Sequence, residues 1–266
     1  MKIQNYSCKL MAIAIATLCG VNVAAQTCYP TQMIDNAHGT TINISYDQNS
    51  NITSMSMKSK QFEITYNIIT EKTTDGYKRT YTAMNLNPML AAFTMSKSVL
   101  TYDNSNRLRF AEGSGDAMSG TEKFVYNVRG QLQRIDQEVK YKDPSGKITL
   151  EHGRMEYTYP SETTKNPSEI KKFGMVNNNP EPALIEKTIL TYDTQKGVVT
   201  DLPFDGSSLR TYAVNNVATA DITYVNSNVN VKQTYTYTYN SNGYPISKTY
   251  QFSGAPNTDT FTYNCK

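Results

Sequence analysis

The chain of 266 residues contains no tryptophan and only two histidines, His38 and His152. No second histidine stands at ligand spacing from either, which argues against a zinc centre. His152 has Glu151 and Glu156 nearby, but a solvated strand or loop accounts for that neighbourhood as well as an acid–base site does. No Gly/Ser or Pro tract is long enough to form a linker. No basic stripe is present either, which argues against a nucleic-acid partner.

The first 25 residues read as a secretory signal. Lys2 and Lys9 supply a positive start, Leu10 to Val23 is largely apolar, and Val23-Ala24-Ala25 offers small residues for cleavage before Gln26. The apolar run is shorter than the ~20 residues of a membrane helix. A lipoprotein signal ending at Cys19 competes with this reading, although Leu18 is not the small residue such a site prefers. Either route exports the chain to the periplasm, the outer membrane or the exterior. Cleavage before Gln26 removes Lys2 and Lys9 and lowers the net charge from +3 to about +1. Two cysteines then remain, Cys28 and Cys265, at opposite ends of the mature chain. Exported thiols commonly pair, and a Cys28–Cys265 bridge would staple the termini; two free thiols are the alternative. Residues 26–266 are expected to form a single all-β domain.

Tyrosine is abundant, at 20 residues, and it marks a recurring motif. Tyr126-Asn127-Val128-Arg129-Gly130-Gln131-Leu132 and Tyr239-Asn240-Ser241-Asn242-Gly243-Tyr244-Pro245-Ile246 are the clearest copies. Tyr102-Asp103-Asn104-Ser105-Asn106-Arg107-Leu108 is a third, with Asn in the Gly slot. Looser copies start at Tyr46-Asp47, Tyr141 and Tyr192-Asp193, the last two with Gly146 and Gly197 one residue late. Each reads as a hairpin turn in which Asp or Asn folds back on its own backbone and Gly or Asn accepts positive φ. Between these turns the chain alternates with period two, as in Ile42–Tyr46, Phe62–Tyr66 and Thr234–Tyr239. In the last of these, Tyr occupies one face and Thr the other. The pattern predicts antiparallel hairpins forming a strongly curved open sheet or barrel with one polar face. A short helix over 88–96, capped by Asn87 with Pro88 first, is the one helical candidate. Met175–Ala183 reads as a long loop, and Asp201–Gly206 as a loop tucked onto the core.

The Tyr-Asp/Asn-x-x-Gly-x-Leu/Ile units resemble those of YD-repeat proteins. The stretch from Asn215-Asn216-Val217 to Tyr244-Pro245 is similar to one group of secreted proteins and lipoproteins of Gram-negative envelopes, a domain of unknown function with a porin-like β fold. The resemblance implies a curved antiparallel sheet, no activity and no catalytic residues.

Nothing else in the sequence assembles into chemistry, and no cofactor motif is present. Asp47-Gln48-Asn49-Ser50-Asn51 begins like a calcium loop but has Ile52 and Lys58 where that loop needs Gly and Glu. Gly113–Gly120 runs into a strand instead of the helix that a nucleophile elbow or phosphate loop requires. Asp136, Glu138 and Glu156 alternate with polar residues on the solvated face and do not read as a glycosidase pair. Tyrosines are expected to pack across strands rather than form a glycan platform. Met55, Met57, Met84, Met89 and Met95 fill an irregular core or line a cavity for apolar ligands. The function expected is therefore that of an exported, non-enzymatic envelope protein binding or scaffolding a glycan or protein. The alternatives are a carrier of lipid or another apolar ligand in a half-open barrel, and an outer-membrane barrel.

Overall fold

The computed structural model describes residues 28–60, 62–84, 95–143, 145–174, 182–197 and 213–265. The expected signal segment, most of the candidate helix, the 201–206 loop and most of Met175–Ala183 lie outside these residues. Among the described residues there are strands, turns and bends but no helix.

Seventeen strands follow in chain order: β1 (Cys28–Asp35), β2 (Thr40–Tyr46), β3 (Ile52–Lys58), β4 (Glu63–Thr73), β5 (Gly76–Ala83), β6 (Lys97–Asp103), β7 (Leu108–Ser114), β8 (Met118–Tyr126), β9 (Leu132–Lys142), β10 (Ile148–Thr158), β11 (Glu169–Gly174), β12 (Ala183–Lys196), β13 (Asn215–Tyr224), β14 (Val229–Thr234), β15 (Thr236–Tyr239), β16 (Pro245–Phe252) and β17 (Ala255–Cys265). Apart from β14 and β15, each strand pairs antiparallel with its neighbours in sequence, and β17 pairs with β1, so the sheet curls round on itself. One ladder is missing. β14 pairs with β13, and β15 with β16, but β14 and β15 follow one another along the chain. Val229–Tyr239 is in effect one strand that changes partner at Tyr235, whose amide still reaches the Ala218 carbonyl at 2.9 Å. The barrel is nearly closed, with a seam where β14 and β16 diverge.

The turns explain why the chain folds into a meander. Asp47, Asp103, Asn127, Asp143 and Asn240 each accept, on one side-chain oxygen, the amides two and four residues ahead, at 2.8–3.0 Å. The residue three ahead takes positive φ: Ser50, Asn106, Gly130, Gly146 and Gly243. Three chemically different residues in one slot show that the Asx side chain, more than the glycine, sets this turn. Two of the looser copies read differently in three dimensions. In the copy at Tyr141 the folding residue is Asp143, which puts Gly146 in its normal slot. Asp193 begins no such turn: β12 continues to Lys196, and Gly197 donates to Val214 at 2.8 Å.

Alternation sorts each strand into an inner and an outer face. Ile42 and Ile44, Ile64, Tyr66 and Ile68, Leu100 and Tyr102, Phe124, Ile135, Met155 and Tyr157, Leu190 and Ile222 belong to one continuous buried cluster inside the barrel. Outward positions carry charge. Lys58–Glu63, Arg134–Asp136, Lys140–Glu138, Arg154–Glu156 and the Lys171–Glu169–Lys187 group form exposed ion pairs at 2.7–3.2 Å. Asp136, Glu138 and Glu156 therefore face outward and pair with cations.

Candidate functional site

A meander sends every second connection to the same end of the barrel. The turns at Asp47, Asp103, Asn127 and Asn240 gather at one end, together with the Cys28–Cys265 pair; the Asp143 turn lies at the other. Cys28 stands opposite Cys265 in the β1–β17 register, and the two are joined as a disulfide spanning 237 residues.

Inward tyrosines close the same end. Tyr46 donates its hydroxyl to Pro30 O at 2.8 Å, Tyr126 to Leu108 O at 2.9 Å, and Tyr192 to Pro167 O at 2.7 Å. Tyr237 donates to Val217 O at 2.9 Å and Tyr263 to Pro245 O at 2.8 Å. Tyr159 makes a similar bond to the Leu132 backbone. In each case a tyrosine ending one strand ties down the start of the strand before it. Burial pushes the Tyr159 phenol up to about 12 and raises those of Tyr46, Tyr192 and Tyr263, so the hydroxyls remain donors at neutral pH. At Tyr46 and Tyr126 the motif tyrosine thus works as a latch beneath its own turn, whereas Tyr239 donates to Asp193.

Four charged groups sit inside this aromatic lining. Lys248 pairs with Asp259 at 2.9 Å under the Tyr235 and Tyr250 rings. Desolvation raises the Asp259 pKa against the pull of Lys248. Glu122, 1% exposed, accepts from Gln137 Nε2 at 3.0 Å. Arg79 is the fourth, on β5 and 5% exposed. Its Nε lies 3.4 Å from Thr70 Oγ1, its guanidinium bonds the Tyr81 hydroxyl, and it stands 5.6 and 5.5 Å from the Tyr77 and Tyr102 ring centroids. Those two rings stack at 4.4 Å.

Two openings accompany this interior. Beside the seam, inward positions Tyr224, Val229 and Val231 are 37–48% exposed. At the latched end, a cavity of about 450 Å³ lies between residues 160–168 and the β12–β13 region, lined by Pro160, Thr164, Asn166, Leu190, Tyr192 and Asn215 among others. Gln131 Nε2 holds the loop by donating to Ser161 O and Thr164 O at 2.9 and 2.6 Å.

The remaining candidates have structural partners. His38 Nδ1 meets Asp35 at 2.7 Å, and His152 lies 3.9 Å from Glu138 on the exposed outer face. The Asp47 carboxylate serves its own turn. Gly113 lies in β7, where the Met95 sulfur fills the space a Cβ would need, at 1.8 Å. Met55 and Met57 join the main core, Met95 packs with Met118 and Val139, and Met84 is exposed. Among the described residues no group of three or more His, Cys, Asp or Glu side chains is arranged to hold a metal.

A nearly closed meander of this size has a counterpart among solved structures. A porin-like protein from Bacteroides vulgatus superposes with a TM-score of 0.56 at 11% identity, covering 90% of this chain and 99% of that one. The fold is similar to that of a porin-like protein. A second porin-like protein, from Bacteroides uniformis, gives a TM-score of 0.49 at 14% identity over 88% of this chain and 95% of that one. No known family profile matches the sequence, and no curated protein matches it. The likeness to YD-repeat proteins therefore rests on the turn motif alone. Polarity separates this barrel from the usual outer-membrane design, in which an apolar band faces outward and the interior is polar. Here the charged rows face out and the apolar cluster faces in.

Proposed function

We propose that the protein is an exported, non-enzymatic envelope barrel that carries an apolar or amphipathic ligand. The observation that carries the reading is the apolar interior beside an interrupted wall, where inward Tyr224, Val229 and Val231 stand exposed. A ladder closed along its whole length would seal that interior, whereas the partner change at Tyr235 leaves a lateral approach to it. Inward methionines, Met55, Met57 and Met155 among them, supply flexible side chains that repack around an irregular apolar body. Export rests on the sequence of the first 25 residues.

The glycan- or protein-binding scaffold draws its support from the cavity at the latched end, where Thr164, Asn166 and Asn215 offer polar groups beside Leu190 and Tyr192. The outer-membrane barrel draws on the likeness of fold; the outward ion pairs favour a barrel bathed in water.

Native mass spectrometry of the mature protein, prepared from its own envelope without detergent, separates these readings. A reproducible bound mass extractable into organic solvent supports the carrier. A bound mass that stays in the aqueous phase transfers the case to the polar cavity. A protein that cannot be brought into solution without detergent argues for insertion in the membrane.

A further inference from the structure

Of the four charged groups placed in the aromatic lining, all but Arg79 are answered within the chain. Lys248 has Asp259, and Glu122 has Gln137. Arg79 has no carboxylate partner among the described residues. A guanidinium keeps its proton in any protein environment, so Arg79 cannot relieve its burial by becoming neutral. Burying such a cation costs several kcal/mol unless an anion and hydrogen bonds compensate it. Its compensation is thin: one long bond to Thr70, one to a neutral tyrosine hydroxyl, and two ring faces at the outer limit of cation–π distance. The Nη1 atom is buried with no acceptor. On β6, the strand next to β5, Ser98 Oγ is also buried without a partner. Leu100 is the register partner of Arg79, and Ser98 lies two residues along on the same inward face. Two unanswered donors thus share one patch of wall, surrounded by Ile68, Leu100 and the stacked tyrosines.

We infer that Arg79 is the anchor for an anionic group, a carboxylate or a phosphate, on an amphipathic ligand whose apolar body lies in the barrel interior. The inference rests on the carrier reading and narrows its ligand to an anionic amphiphile. The oxyanion supplies the acceptors that Nη1 lacks and the charge that no side chain among the described residues provides. Tyr77 and Tyr46, both only partly buried, lie between Arg79 and the latched end, and Thr70 stands opposite Arg79 in the β4–β5 register. That end is the shortest route for a head group.

Equilibrium dialysis of the delipidated mature protein against labelled palmitate, hexadecyl phosphate and hexadecanol tests the anchor. The three probes share a chain and differ in head group. The expected result is that at least one of the anions binds about tenfold or more tightly than hexadecanol, the range for a hydrogen bond to a charged group. The tighter of the two identifies the anion. Arg79→Met removes that preference while leaving hexadecanol affinity within about twofold, and Arg79→Lys retains part of it. Equal binding of all three by the unmodified protein overturns the Arg79 anchor and leaves the carrier standing, and this result holds whether or not the variants fold. Failure of all three probes to bind overturns the carrier reading itself, and the anchor with it.

Discussion

Gly76 offers a clean test of how tightly the wall beside Arg79 is built. It opens β5 with φ +145°, opposite Asp103 in the β5–β6 register. A Cβ added there would lie 2.1 Å from the Tyr102 carbonyl oxygen, 2.7 Å from the Asp103 carbonyl carbon and 2.9 Å from its Cα. All three are backbone atoms, so no side-chain rotation relieves the contact. Moving them to ordinary separation needs a shift of about 1 Å, enough to break one or two ladder hydrogen bonds at about 1 kcal/mol each. The backbone region itself costs a non-glycine residue about 1–3 kcal/mol. Gly76→Ala is therefore expected to destabilise the protein by about 2–5 kcal/mol. Gly254 provides the control, because its φ is +81° and nothing lies within 4 Å of an added Cβ. Gly254→Ala meets only the left-handed penalty of about 1–2 kcal/mol, partly offset by a stiffer unfolded chain. Urea unfolding followed by circular dichroism, with unchanged m values, gives both numbers. A Gly76→Ala variant within about 1 kcal/mol of Gly254→Ala would refute the close approach of β5 and β6 at Tyr102.

The latches make a second prediction. Tyr→Phe at 46, 126, 192, 237 or 263 removes one hydroxyl bond, and each change is expected to cost about 1 kcal/mol in urea unfolding. The sites use separate partners, so the combined variant should lose about the sum; a loss confined to one site would deny a shared device. Acid stability follows from Asp103. Desolvation opposes ionisation of its carboxyl, but the Arg107 and Ser105 amides and the Arg107 guanidinium outweigh it and hold the pKa below the usual range. With its folded pKa depressed, Asp103 contributes stability above the unfolded value of about 4 and loses it as pH falls through the folded value. Asp103→Asn keeps the turn, as Asn127 and Asn240 do, and should shallow the loss of stability below about pH 4; an unaltered acid profile would remove Asp103 from that account. A double Cys28→Ser/Cys265→Ser variant should lose up to about 5 kcal/mol, the loop-entropy limit for so long a closure. If the unmodified mature protein is not two protons lighter than its reduced form, the staple is absent from it.

The architecture was readable because its rules are local. Asp103 and Asn127 dictate turns through amides at most four residues away, and the alternation of Ile64, Tyr66 and Ile68 marks the inner face without knowledge of any partner strand. The motif tyrosines were readable as inward residues, but their latching was not. The bond from Tyr126 to Leu108 joins residues 18 apart and exists only once β7 and β8 are paired. The partner change at Tyr235 was invisible for a related reason. Thr234–Tyr239 alternates without a fault, and the break arises from where β13 and β16 lie on either side. Asp193 misled because its side chain does bond the amide two residues on, at 3.0 Å, while β12 continues past it. Arg79 left a trace that alternation alone can read. In Tyr77-Lys78-Arg79-Thr80-Tyr81 it shares the parity of the two tyrosines, which puts the cation in the aromatic register and Lys78 in the solvated one.

That single placement matters more for function than the strand count. Outward charges, such as Lys171 and Lys187 around Glu169, are in water and nearly neutral in energy. Lys78 could serve as such a charge without cost, and does so one position away. A cation one residue further along enters the apolar interior, where a guanidinium is expensive and, among the described residues, no carboxylate meets it. Methionine or leucine at that position would fill the volume and stabilise the barrel, and the neighbouring inward positions Ile68 and Leu100 are filled in that way. A barrel serving only as a scaffold gains nothing from Arg79. One that must retain an anionic head group among apolar side chains requires a charge there, and would be expected to keep it at the expense of stability.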